Sequence, residues 1–308
     1  MATVVALAAC EPLSGPEDAP LFDLVFEGRL AGVPELLTFD PPTSGGRRLL
    51  AEGTVVMDPE PSPDGSRIAF VVADYGQSTG DIYVMNRDGT NVVQLTDDPE
   101  LDDQPSWSPD GTRIAFRSFR NQRDGDVYLM NADGSDQVNL YPDPVPAVYD
   151  LGRPAWSPNG ARIAYSSNEG GTYDIWMMRP DGSDRIRITS SEDLDVEPSW
   201  SPDGSRLAFR RTYFSDNESD VFTVQAREGL PTPIAIEIEG QQRQPRFTPD
   251  GTQIVVVNHA TVTDRPDLYI MATDGSSFRA LVTEAVAGGS LHPAFLMRRA
   301  PIGFGLRP

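Results

Sequence analysis

Carboxylates recur along this chain at regular places, and they are the side chains most able to do chemistry. Residues 104–118 read QPSWSPDGTRIAFRS, and near copies of their Ser-Pro-Asp-Gly string appear four more times. Acidic loops of this kind could ligate calcium. A pair such as Asp193 and Glu197 could instead serve as general acid and base on a glycan. No Asp-x-Asp/Asn-x-Asp/Asn-Gly run of the EF-hand type occurs, so calcium at the rim stays an alternative without a motif. The only histidines are His259 and His292, too few for a metal site built from several imidazoles. Cys10 is the single cysteine, which precludes an internal disulfide and leaves too few ligands for a Cys/His zinc site. All 25 basic side chains are arginine, so lysine Schiff-base chemistry is excluded.

The bulk charge narrows the partners. A formal net charge of −21 repels phosphate backbones, which excludes nucleic acid as an expected partner and suits cations, basic peptides or plain solubility. With 28 Pro and 27 Gly among 308 residues, turns and strands are favoured over helices.

The recurrence itself decides what the loud motif does. The residue before each Ser/Thr-Pro-Asp/Asn-Gly is Pro61, Trp107, Trp156, Trp200 and Phe247, at intervals of 46, 49, 44 and 47 residues. A period in the forties with strand-like content predicts a β-propeller with four strands per blade. In each unit QPSWS is strand a, SPDGT a turn, RIAFRS strand b, DVYLMN strand c, ADGS a second turn, and a short apolar stretch strand d. Pro presets φ, Asp accepts a backbone N–H, and Gly takes the left-handed position of the turn. A second acid recurs before strand c, at Asp81, Asp126, Asp174, Asp220 and Asp267. A residue that every blade requires serves the blade, because one site would need it once.

Complete units start near residues 58, 104, 153, 197 and 244, giving five. LFDLVFE, PELLTFD and RRLLAEG near the start supply three strands without a strand a, and SLHPAFLM near the end supplies a strand a alone. Pairing the two ends predicts an all-β, six-bladed propeller over residues 21–297, followed by a tail at 298–308.

Because strands alternate in direction, the a–b and c–d turns share one end, tiled with near-identical sequences. The b–c loops and d–a crossings share the other end and differ from blade to blade, so a unique ligand is expected there. The b–c loops offer Tyr75, Phe119, Arg120, Tyr173, Tyr213, Phe214 and His259, side-chain types that anchor interfaces, although some could simply pack their own loops. At the channel mouth the crossings offer Asp102, Asp103, Gln104, Asp150 and Arg153, then Asp193, Asp195, Glu197, Gln244 and His292. They read either as an acidic rim for a cation or basic peptide, or as solvated loop carboxylates.

The tryptophan, Ser-Pro-Asp-Gly, RIAF, DVYLMN and ADGS strings in register resemble the TolB-type β-propeller repeat, across residues 58 to about 297. The same repeat resembles propellers of prolyl oligopeptidase and dipeptidyl-peptidase relatives. Their hydrolase domain has no counterpart here, since no G-x-S-x-G elbow occurs. The resemblance implies an envelope-side, non-catalytic module that binds a protein or peptide, without the α/β domain that precedes the propeller in TolB. Such a module needs no cofactor and is expected to be monomeric.

Residues 1–20 form the address. Val4 to Ala9 are apolar, and Leu7-Ala8-Ala9-Cys10 resembles the bacterial lipobox, whose cysteine is lipidated. No Arg or Lys precedes the apolar run, which departs from that pattern. Anchoring through Cys10 would hold the protein at a membrane surface, with residues 11–20 as tether.

Overall fold

A computed structural model describes residues 23–30, 33–39, 47–50, 55–73, 79–120, 125–141, 151–216, 218–228, 234–236, 241–259, 267–282 and 293–296. Cys10, Tyr75, Asp150 and His292 lie outside these residues. The first described strands are β1 (Asp23–Leu30), β2 (Val33–Phe39) and β3 (Arg47–Arg48). Next come β4 (Val56–Pro61), β5 (Arg67–Ala73), β6 (Gly80–Asn86) and β7 (Val93–Gln94). The following four are β8 (Asp102–Trp107), β9 (Arg113–Ser118), β10 (Asp126–Asn131) and β11 (Val138–Asn139). After them run β12 (Leu151–Trp156), β13 (Ile163–Ser167), β14 (Asp174–Met178) and β15 (Ile186–Arg187). The fourth set is β16 (Leu194–Trp200), β17 (Arg206–Thr212), β18 (Ser219–Gln225) and β19 (Ile234–Ile236). The last are β20 (Gln241–Phe247), β21 (Gln253–His259), β22 (Asp267–Ala272), β23 (Phe278–Val282) and β24 (Pro293–Leu296).

These strands make antiparallel four-stranded sheets, the blades of a β-propeller, and no helix occurs among the described residues. Each set of four from β4 to β23 is one blade, with strands in sequence order from the centre outward. A further sheet has the order β24-β1-β2-β3, with Val25 opposite Ala294.

The hydrophobic pattern explains why the middle strands carry the core. Ile114, Ala115 and Phe116 of β9 are all fully buried, because a middle strand meets a neighbouring blade on each face. Side chains on one face of β5 and β6 (Ala69, Val71, Ile82, Val84) pack with Trp107, Ile114, Phe116, Tyr128 and Met130 of the next blade. The aromatics before four of the five a–b turns, Trp107, Trp156, Trp200 and Phe247, fill the wedge between blades, as the sequence predicts. Trp107 Nε1 donates to the Glu60 carbonyl at 3.0 Å, and Trp200 Nε1 to the Ala155 carbonyl at 3.0 Å. An arginine from the preceding blade lies over the ring, Arg67 on Trp107 at 4.6 Å and Arg113 on Trp156 at 5.0 Å.

Ser-Pro-Asp-Gly is architectural. Ser108 Oγ donates to Asp110 Oδ1 at 2.6 Å, the Thr112 N–H donates to the same oxygen at 3.0 Å, and Gly111 takes φ +67°. Asn159 makes the same contacts in the third repeat, so the turn needs an acceptor there and not a charge. In the c–d turn, a Cβ on Gly134 would sit 2.7 Å from the Leu95 carbonyl of the preceding blade at φ +88°, so only glycine fits.

The acids before strand c tie the outermost strand to the blade. Asp81 accepts from Gln94 Nε2 at 3.1 Å and Thr96 Oγ1 at 3.2 Å, and Asp126 accepts from Asn139 Nδ2 at 3.0 Å. Asp174 accepts from Arg187 and, at 3.2 Å, from Thr189.

Candidate functional site

The innermost strands carry a backbone feature that repeats while its side chains change. In β4, β8, β12, β16 and β20 the register with the next strand slips by a β-bulge. Each bulge contains one non-glycine residue in the left-handed region: Asp58, Gln104, Arg153, Glu197 and Gln244, with φ between +44° and +61°. All five immediately precede a proline. A left-handed residue before proline is strained, costing on the order of 1–3 kcal/mol, so five in register mark a demand of the architecture.

These residues knit the blades around the central channel. Gln104 Oε1 accepts the Arg153 backbone N–H at 2.6 Å, and Glu197 Oε2 accepts the Gln244 N–H at 2.7 Å. Arg153 Nη1 stands 3.8 Å from Asp58 Oδ1. Deeper in, Arg246 Nη2 lies 3.4 Å from Glu60 Oε2, joining two blades separated by 186 residues of sequence. An opening with room for about one water molecule is lined by Asp58, Glu60, Gln104, Arg153 and Arg246 with the adjoining prolines. Burial pushes the Glu60 carboxyl above its usual range, against the pull of Arg246 and Arg153. Burial likewise lowers Arg246, which Glu60 opposes.

The expected open acidic rim is corrected by the geometry. Asp102 and Asp195 are fully buried and Asp103 is nearly so. Arg120 Nη2 pairs with Asp102 at 2.6 Å, Arg117 forks onto Asp103 at 2.8 and 2.6 Å, and Arg211 forks onto Asp195 at 2.6 and 2.7 Å. Burial raises the pKa of all three carboxyls in spite of these partners. They are braces between strands a and b, which is a fold role. Asp193 accepts the Phe214 N–H at 3.1 Å, so a d–a crossing and a b–c loop meet there. Glu197 faces Arg210 Nη2 at 3.3 Å besides its backbone contact, so the suggested acid–base pair of Asp193 and Glu197 is committed to other groups.

The b–c loops divide in the same way. Arg120 is a brace, held by Asp102, Ser118 and Gln137 and lying 4.8 Å from the Tyr128 ring. Phe119 lies under Arg117 at 4.8 Å. The Tyr213 hydroxyl donates to Asp220 Oδ2 at 3.1 Å, and burial followed by Asp220 pushes its pKa up to about 12. The Tyr173 carbonyl accepts the Asp195 N–H at 2.8 Å, and His259 closes β21 opposite Gln241. Phe214 stands out, with 65% of its surface exposed. Among the described residues no group of three or more His, Cys, Asp or Glu is arranged to hold a metal ion. Nor is any helix among them long and apolar enough to cross a membrane.

A family model described as the TolB β-propeller domain matches residues 35–141 and 147–285. The chain belongs to the TolB β-propeller family. A TolB homolog of Chlorobium luteolum is 28% identical over 182 residues, 58% of this chain and 36% of its own length. The Tol-Pal system protein TolB of Anaeromyxobacter dehalogenans is 52% identical over 46 residues, 15% of this chain and 10% of its own. The chain therefore spans about a third or less of the length of these relatives. The crystal structure of TolB from Acinetobacter baumannii superposes with a TM-score of 0.74 at 20% identity, covering 89% of this chain and 66% of that one, a likeness of fold alone.

Within this TolB-type propeller, sequence reasoning placed Gln104, Arg153, Glu197 and Gln244 at the channel but missed Asp58, Glu60 and Arg246. The signal was present: every strand a has a variable residue before its proline, and Asp58 occupies that place in the first unit.

Proposed function

We propose that this protein is a non-catalytic scaffold that takes a protein or peptide partner on the face formed by the b–c loops and the channel mouth. The observation carrying this reading is the ring of bulge residues: one backbone conformation repeated blade after blade, presenting Asp, Gln, Arg, Glu and Gln in turn. A constant frame with changing side chains suits recognition of one particular surface. Exposed Phe214 beside the mouth supplies an aromatic anchor of the kind that dominates interface energetics. The likeness to TolB, named in one relative as a Tol-Pal system protein, supports an envelope location and a protein partner. We further propose a closed ring of six blades, with the β24-β1-β2-β3 sheet as the sixth, supported by the contacts of β24 with β4, β20 and β21. Lipidation at Cys10 would tether residues 21–297, as one domain, to the membrane.

Capture from envelope extracts tests the reading. Phe214→Asp is expected to reduce partner recovery at least about tenfold, the cost of one interface hot spot, with an unchanged melting temperature. Val138→Asp, on the exposed outermost strand β11, is expected to leave recovery intact. Equal recovery by both variants contradicts the proposal.

A further inference from the structure

The channel mouth is more nearly neutral than the rest of the molecule. The whole chain carries −21, yet at the mouth arginines stand beside the carboxylates, Arg117 at Asp103, Arg120 at Asp102 and Arg211 at Asp195. Two arginines are less evenly matched. In the blade of β8 and β9, Arg117 stands directly across from Asp103 and is neutralised by it. At the equivalent place in the blade of β16 and β17, Arg210 stands across from Val196. In the next blade, Arg243 stands across from Val257. Neither arginine has the carboxylate that the register supplies to Arg117.

Among the described residues, Glu197 is the carboxylate set against both guanidiniums, and it is divided. One oxygen faces Arg210 Nη2 at 3.3 Å and the other is taken by the Gln244 N–H at 2.7 Å. Arg243 Nη2 donates to the neutral amide of Gln241 at 3.3 Å. The Nε atoms of both Arg210 and Arg243 are buried and have no hydrogen-bond partner among the described residues. Burial and the neighbouring charge of Arg210 both disfavour protonated Arg243, with Glu197 the opposing influence.

Two guanidiniums with unused, buried Nε–H groups are set beside one carboxylate, one negative charge short of a match. The fork of a guanidinium matches the two oxygens of a carboxylate. We infer that Arg210 and Arg243 form a subsite for a carboxylate group, which the bound partner inserts into the channel mouth from an acidic side chain or a C-terminus. This inference rests on the protein-binding reading above and specifies the chemistry of one contact.

The test observes the arginine Nε–Hε signals by NMR in the full chain, with Arg210→Lys and Arg243→Lys providing the two assignments. The probes are N-acetyl-Gly-Gly with a free C-terminus, its amide, N-acetyl-Glu-amide and inorganic phosphate. A saturable shift of both signals is expected with the carboxylate probes and none with the Gly-Gly amide. Whichever carboxylate binds more tightly identifies the source. Arg210→Gln is expected to weaken that binding at least tenfold, while Arg185→Gln, which removes a cation stacked on Tyr141 far outside the channel, leaves it unchanged. Circular dichroism and the melting temperature confirm that each variant is folded. Absence of a saturable shift, an equal response to the amide, phosphate binding tenfold tighter than carboxylate, or full binding by folded Arg210→Gln would each overturn the inference. If Phe214→Asp abolishes partner capture while the carboxylate probes fail, the subsite falls and the binding reading stands. If the probes bind but Phe214→Asp captures as wild type, the reverse holds.

Discussion

Asp110 shows how one residue type can look reactive and be structural. Its carboxylate accepts from Ser108, the Thr112 N–H and the Thr112 hydroxyl, and these bonds hold its pKa down from 3.8 to about 2. Asp64 is shifted in the same way by Ser62 and Ser66. A folded pKa below the unfolded one gives stability that is present above about pH 4 and is lost as pH falls toward 2. The side chain is largely exposed, so solvent screening keeps the contribution of each turn small. Buried Asp102 and Asp195 have the opposite sign, because raised folded pKa values let protonation on acidification favour the folded state. Asp110→Asn is expected to flatten the fall of melting temperature between pH 4 and 2, and Asn159→Asp to steepen it, in a thermal titration series. The sequence made the turn legible because Pro, Asp and Gly each satisfy a separate local requirement. It could not reveal that Asp102, Asp103 and Asp195 are buried, since their arginines are 14 to 18 residues away and meet them only across paired strands.

At the scale of the element, the bulge on the innermost strand of each blade from β4 to β23 repeats one backbone shape with a different side chain, and on the proposed reading it is the unit of recognition. Strand a had to be short and central, and its aromatic had to reach the preceding blade, both of which periodicity predicts. The left-handed residue before proline contradicts local preference, so propensity could not find it; tertiary register imposes it. Gln104 is held at φ +54° and its amide oxygen satisfies the Arg153 N–H. Gln104→Ala loses that acceptor and keeps the backbone strain, with an expected cost of about 1–3 kcal/mol. Gln104→Gly loses the same acceptor but relieves the strain by about 1 kcal/mol, so it is expected to be the more stable of the two. Urea unfolding of both variants checks this order, which reverses the usual penalty for glycine in a strand.

Across the whole molecule, strands far apart in sequence meet in one sheet, where Leu24 pairs with Phe295 and Val25 with Ala294. The repeat count made this pairing legible, because three strands near the start lacked the one strand left over near the end. Deleting residues 291–308 removes β24, which packs against β1 and β4, and on the proposed six-bladed reading opens the ring. Calorimetry is expected to show a melting temperature lower by about 10 °C or more, each kcal/mol being worth about 2–4 °C in a domain of this size. The sequence pointed to the variable end and read the carboxylates of its crossings as an acidic rim or as solvated loop groups. Cross-strand and loop pairing with arginine neutralises Asp102, Asp103 and Asp195 there, a result of register that composition cannot contain.

The most direct test of the binding account is site-specific photo-crosslinking in the native envelope. A photoreactive residue at position 214 samples the b–c loop beside the channel mouth, and one at exposed position 133 samples a c–d turn at the opposite end. A discrete protein adduct from position 214 and none from position 133 is the expected result. Adducts from position 133 alone, or none from 214 in a folded protein, would contradict it.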